Sequence, residues 1–404
     1  MRWKLFLLFA LLVPCWVIAE RYDIDLVNLH VVAQYLHTDL TRVYAQNGNY
    51  GRYFYGPFSL VLIKPLGSFS YVQVKWFWIV LQTVAYAVFW VYLYRLYPFL
   101  KSAKWAWLLI WIVSINPIHN NYQSNNIQLM LAAVLLMAEY FTYSANPRLL
   151  FLAGVLCSFT ASIKMFPLFL VVFYFLVKPN ATRIGVLAGM LFAQALPFLY
   201  FGWDDGWMLT RDFISNLTTY DKQNSLTGVN DILCLPSLVA RWWPDASGWL
   251  SKALILGISA AFYLWAWLNR ERKDLAIHFW ALANALMVFL NPSTRPHYFI
   301  FYVPAFCSMA IYGMRNRSTA TAMPWLTGVA CLLIAFTAEG VVGKNWNEYL
   351  ESHSYPTLGM LLLCGLLAAA IFRLKPSGGG NDDGGGAAGG GEPSSIASSI
   401  SAAY

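Results

Sequence analysis

The side chains with chemistry to offer are few, and each stands alone. Tyr22-Asp23-Ile24-Asp25 places two carboxylates just after the first apolar run. A carboxylate held at a membrane surface beside an apolar wall serves as a general base; the plainer alternative is that Asp23 or Asp25 caps the helix that follows. Lys164 interrupts the apolar stretch 149–177, within Ala161-Ser162-Ile163-Lys164-Met165-Phe166-Pro167. An ionisable group there is expensive and by default marks function, here a cation for an anionic headgroup such as a lipid-linked phosphate. Snorkelling to phospholipid headgroups is the competing explanation. Arg295 and His297 share Asn291-Pro292-Ser293-Thr294-Arg295-Pro296-His297-Tyr298. A guanidinium able to fork onto phosphate thus lies beside an imidazole able to carry protons. Two further segments stand out, one with aromatic faces of the kind that sugar rings stack on or that anchor at the interface, the other polar and hydrogen-bonding. One is the aromatic run Gly51-Arg52-Tyr53-Phe54-Tyr55-Gly56-Pro57-Phe58, and the other is the polar run Lys222-Gln223-Asn224-Ser225-Leu226-Thr227-Gly228. Asp204-Asp205 is a paired carboxylate without further ligands, too little to expect a metal.

The scaffold behind these groups follows from composition. The chain has 404 residues, of which 59% are apolar and 11% charged, with a mean hydropathy of +0.52. Soluble globular proteins carry about 25% charged residues, so this is a membrane protein, not a collagen-like, disordered or disulfide-framework chain. Five of the six cysteines fall in apolar spans, Cys234 being the exception, and read as packing residues. A spanning helix needs about 20 apolar residues. The uncharged intervals 76–94, 184–203, 253–269, 275–294, 296–314, 318–338 and 352–372 qualify. The interval 105–138 contains the polar stretch 116–126 and reads as two helices joined by a turn. The run 5–19 reads as an uncleaved first helix, because Val17-Ile18-Ala19 is a poor cleavage site.

The stretch 149–177 is either one long broken helix or a hairpin turning at Lys164, and the positive-inside rule chooses the hairpin. There are then about twelve spans (10 to 13) with a cytoplasmic N-terminus. Inside segments hold 15 basic and six acidic residues, a net of +9, and outside segments hold 12 basic and 13 acidic, a net of −1. The overall charge of +8 therefore reports topology and gives no reason to expect nucleic acid. Residues 1–375 form a single integral-membrane domain with outer loops 20–75, 204–252 and 339–355. Residues 376–404, with nine glycines in 378–391, form a disordered cytoplasmic tail. Within the first outer loop, Leu26, Leu29, Val32, Ala33 and Leu36 recur at helical spacing, an amphipathic helix at the membrane surface.

In this order the pieces resemble glycosyltransferase family 87, the polyprenol-phosphate-mannose-dependent α-1,2-mannosyltransferase-like proteins of the GT-C superfamily. The matching residues begin with Asp25 followed by Ala33 and Tyr44. Phe54-Tyr55-Gly56-Pro57 is similar to F-x-Y-P-P, and residues 123–129 open the fourth span. Lys164 with Pro167 is similar to K-x-x-P, residues 223–228 to N-Q-S-L-x-G, and residues 291–298 to S-P-x-S-W-x-H-H. Departures are a single Pro57 preceded by Gly56, Arg295 in place of the motif's Trp, Tyr298 in place of its second His, and an inverted Gln223-Asn224.

The resemblance implies an all-α polytopic enzyme of GT-C type in the bacterial cytoplasmic (inner) membrane. It would move a sugar, mannose or another hexose, from a polyprenyl-phosphate-linked donor to a glycan or glycolipid acceptor on the outer face. Inversion is expected, without metal or cofactor. Asp25 would be the base, with His297 a competing or cooperating proton acceptor. Lys164 and Arg295 would hold the donor phosphate, with Arg52 or Lys222 assisting. Tyr53, Phe54, Tyr55, Gln223, Asn224 and Ser225 would border the sugar or acceptor. A transporter or flippase of a lipid-linked sugar is the competing class, and it would place polar groups at the midplane on broken helices, often in repeats. No repeat is visible in the sequence, and the charges gather on the outer face.

Overall fold

A computed structural model describes residues 2–22, 24–45, 53–224, 232–315, 322–335 and 342–374. Every regular element among them is helical. Seven helices are long and apolar enough to cross a membrane. They are α1 (Arg2–Arg21), α4 (Tyr71–Leu96), α9 (Asn180–Phe201), α12 (Ser247–Leu268), α13 (Ala276–Leu290, with the short turn before it), the span Pro296–Arg315 and α16 (Tyr355–Arg373). The span Pro296–Arg315 opens as a 3-10 segment, Pro296–Tyr302, and continues as α14 (Val303–Arg315). Four shorter apolar helices lie among them, α6 (Gln128–Phe141), α7 (Pro147–Ile163), α8 (Leu168–Val177) and α15 (Ala322–Ala335). To these is added α5 (Lys104–Ser124). α13 and the span Pro296–Arg315 are the most enclosed, whereas α1, α9 and α12 present most of their surface outward.

Local signals explain the boundaries. Ser70 and Gln73 form a capping box that starts α4, each side chain bonding the other's backbone N–H. Asn146 caps α7, with Pro147 at its first position. α7 stops where Lys164 turns extended, and Pro167, which has no N–H to donate, precedes α8. The chain reverses there. Lys164 lies at the end of the bundle that holds Asp25, while Lys178, just past α8, bonds Glu139 at the far end of α6 at 2.6 Å. α7 and α9 lie closest of all. A Cβ on Gly185 would sit 2.0 Å from the carbonyl oxygen of Phe151, so the Gly185/Gly189 pair of α9 lets the two backbones meet.

At the Asp25 end, a second apolar core separate from the bundle's holds α2 (Ile24–Thr38), α3 (Pro57–Ile63) and α10 (Trp203–Asn224) together over α4. The expected stripe of α2, Leu26 to Leu36, is buried in it. His30 and His37 bond the carbonyls of Phe69 and Lys64 and tie α2 to the turn before α4. Two sequence expectations change here. The segment 204–252 is largely helix, comprising α10, α11 (Leu235–Trp242) and the start of α12. Leu209, Phe213 and Asn216 make an inward stripe on α10 that a search for uncharged intervals passes over. The polar stretch 116–126 is mostly helical too, since α5 runs through Pro117 to Ser124 and the break is confined to residues 125–127.

Candidate active site

Asp25 stands in the first turn of α2, half-buried. Its Oδ2 accepts a 2.6 Å hydrogen bond from Asn126 Nδ2, and its other oxygen makes no hydrogen bond among the described residues. The carboxylate is therefore committed to a side chain of the bundle and does not close onto its own helix. Asp23 lies outside the described residues.

Beside Asp25 is Tyr55. Burial first, then the negative charge of Asp25, push its phenol well above the usual tyrosine range, so its hydroxyl stays protonated and available as a donor. Gly56 makes this placement possible. Its N–H donates to the carbonyl of Ile163 at 2.9 Å, and a Cβ there would stand 2.4 Å from the carbonyl oxygen of Ser162. Only a residue without a side chain lets the loop meet the end of α7 this closely. That end is Lys164.

The Lys164 ammonium lies 5.0 Å from the Tyr55 ring and 4.8 Å from the Tyr298 ring. No carboxylate among the described residues pairs with it. Two aromatic faces favour a cation without neutralising it. The ring of His297 packs on Tyr298 at 4.9 Å between centroids, and the charges that reach this imidazole are those of Lys164 and Arg295. His297 is only 7% exposed, whereas Arg295 is exposed. His297 begins the central span. Its carbonyl accepts from Asn121 Nδ2 at 3.0 Å, while Thr294 secures the preceding turn through Val288 and Leu233.

The structure thus gathers Asp25, Tyr55, Lys164, Arg295 and His297. Tyr53 is turned away, 1% exposed, with its hydroxyl on Ser59 and its carbonyl on Asn216 of α10. It supports the loop and lines a cavity of about 640 Å³ that also borders Tyr55. Phe54 is half-exposed next to it. Arg52 and Ser225 lie outside the described residues, as do the side chains of Lys222, Gln223 and Asn224 at the end of α10. Asp204 and Asp205 sit in the first turn of α10, where their charge suits the helix dipole.

The cavity is walled by Leu62 of α3, Phe69, and Phe77 and Leu81 of α4, all with outward exposure, and by Ile127 of the α5–α6 break and Met130 of α6. It is a nearly apolar groove ending at the tyrosines.

Three amides escaped the reading from sequence. Asn125 and Asn126 form the break between α5 and α6. Gln128 is fully buried with neither end of its amide bonded among the described residues. Their signal was the polar density of 116–126 inside an apolar interval, and the resemblance over 123–129.

The sequence profile of glycosyltransferase family 87 matches residues 53–292. The chain is 21% identical over 289 residues to the polyprenol-phosphate-mannose-dependent alpha-(1-2)-phosphatidylinositol mannoside mannosyltransferase of Mycobacterium tuberculosis (strain ATCC 25618 / H37Rv). That alignment covers 68% of this chain and 65% of the relative's length. No solved structure matches significantly. With the family profile spanning more than half of its length, the chain belongs to glycosyltransferase family 87.

Proposed function

We propose that this protein is a membrane glycosyltransferase that takes a hexose, mannose in the first instance, from a polyprenyl-phosphate donor to a glycan or glycolipid acceptor on the outer face of the membrane. The observation that carries this reading is the Lys164 ammonium, unpaired by any described carboxylate and held between Tyr55, whose far neighbour is Asp25, and Tyr298, on which the His297 ring packs.

The chemistry follows from the charges. The acceptor hydroxyl attacks the anomeric carbon while the bond from that carbon to the phosphate oxygen breaks, and the lipid phosphate leaves with the electron pair. The hydroxyl proton passes to Asp25, and the configuration inverts because attack and departure are on opposite faces. Lys164 and Arg295 stabilise the negative charge on the departing phosphate. A phosphate leaves as an anion and needs no separate acid, so His297 orients the phosphate or relays the acceptor's proton. Tyr55 donates to the sugar. The prenyl chain lies in the 640 Å³ groove, whose exposed wall of Leu62, Phe69, Phe77 and Leu81 opens sideways to lipid. That volume is in the range of ligand pockets, about 300–1,000 Å³.

The reading places the site on the outer side. The seven long helices, the four shorter apolar helices and α5 together make twelve spans, with both chain ends inside and the loops 20–75, 204–252 and 339–355 outside. The +9 and −1 partition of charge supports this orientation.

Purified protein given radiolabelled polyprenyl-phosphate hexoses and mixed membrane glycolipids tests the class. Label appearing in glycolipid supports transfer. Label crossing reconstituted vesicles without incorporation would replace the transferase with a transporter.

A further inference from the structure

The geometry points to Asn126 as a positioning residue that sets the carboxylate plane of Asp25, an inference that rests on Asp25 being the base. Asn126 is 4% exposed in the short break between α5 and α6. The residue before it, Asn125, adopts a left-handed conformation (φ 49°) and is pinned from three directions. Its Nδ2 donates to the carbonyls of Ala19 and Tyr22 at 3.0 and 2.8 Å, and its own carbonyl accepts from Trp78 Nε1 at 2.8 Å. The backbone N–H of Asn126 is held by Asn121 at 2.9 Å.

The side-chain amide has one orientation available. Its Oδ1 accepts the N–H of Ile127 at 2.8 Å, so only the Nδ2 end is left to face Asp25, which it meets at 2.6 Å. One carboxylate oxygen is thereby fixed and the other is left open for an acceptor hydroxyl. The bond also crosses from the bundle to the outer cap. α2 is otherwise held mainly by apolar contacts and by His30 and His37, which act farther along it. Apolar contacts do not set the rotation of a carboxylate, whereas a charge-assisted hydrogen bond does.

Asn126→Asp separates the two bonds. It keeps an oxygen for the Ile127 N–H but replaces the donor facing Asp25 with an acceptor. Asn126→Ala removes both. Transfer rates over a range of polyprenyl-phosphate mannose, with detergent melting temperatures, are measured for both variants and for Asp25→Asn. The expected result is a fall of about 100-fold in kcat for Asn126→Asp, the scale of a misplaced reacting group. Its donor KM stays at the wild-type value while its melting temperature falls, because two carboxylates now face each other, and Asn126→Ala falls equally in kcat. A purely structural Asn126 would lower the melting temperature of Asn126→Ala but leave its kcat at the wild-type value, which overturns the proposal. If Asp25→Asn is inactive in that case, the base assignment stands and only the positioning role is lost; if Asp25→Asn turns over normally, both are lost.

Discussion

At Lys164 the described residues hold a cation by aromatic contact and pair no carboxylate with it, and the choice of partner matters. A carboxylate beside this ammonium would compete with an incoming phosphate, and two phenol rings do not. Lys164→Met is expected to weaken binding of polyprenyl phosphate by about 10- to 150-fold, corresponding to the roughly 1.5–3 kcal/mol of a hydrogen bond to a charged group. Titration of the detergent-solubilised protein measures it, and unchanged affinity would free the phosphate from this residue. Tyr298→Phe keeps the ring and is expected to retain affinity, whereas Tyr298→Ala is expected to lose part of it. This part of the site was legible in sequence because Asp25, Lys164 and His297 are ionisable groups isolated in apolar surroundings, where an unused charge is costly. Asn126 and Gln128 were not, since a neutral amide in a polar turn looks the same whether it bonds a carboxylate or water. Tyr298 was visible only as a departure from the family's second histidine; its ring contact with Lys164 depends on a hairpin turn and a span start brought together from 134 residues apart.

Elements carry the site by close contacts that leave little room for substitution. Gly56→Ala would press a methyl group against the Ser162 carbonyl. The expected cost is about 1–3 kcal/mol of stability, as for other overpacked positions. Because the shift falls beside Lys164, transfer should decline along with the melting temperature. At the other end of the bundle, Glu139 is fully buried and bonded by Lys178, Tyr174 and Tyr143. Removing only Lys178, as in Lys178→Met, leaves that charge alone and is expected to cost about 3–5 kcal/mol, read as a lower melting temperature in detergent. The double variant Glu139→Leu/Lys178→Met is expected to recover much of it; no recovery would mean that the pair contributes net stability. The sequence reading found helices wherever charge was absent for a full span and erred where helices carry charge or amides. α10 is amphipathic, and the C-terminal half of α5 is rich in asparagine yet stays helical to Ser124 because its amides bond within the helix and to its neighbours.

Across the described molecule, one apolar core holds the bundle and another holds the cap of α2, α3 and α10, and the candidate site lies where they meet. The sequence conveyed the bundle through hydropathy, but not the cap, whose contacts join residues distant in the chain. The proposed topology predicts that a maleimide added to intact cells labels a cysteine placed at Arg211 of α10 and not one placed at Arg270, just beyond α12. Both side chains are accessible, and the native cysteines are buried. Labelling at Arg270→Cys would invert the arrangement. The central claim is that Asp25 takes the acceptor's proton beside a lysine-held phosphate. Its most direct test is the rate at which Asp25→Asn transfers radiolabelled mannose from polyprenyl phosphate to membrane glycolipid, with donor affinity measured on the same sample. The account predicts a loss of about 10²–10⁴ in rate, the usual contribution of a general base, with donor affinity and melting temperature unchanged. Transfer at the wild-type rate would contradict it.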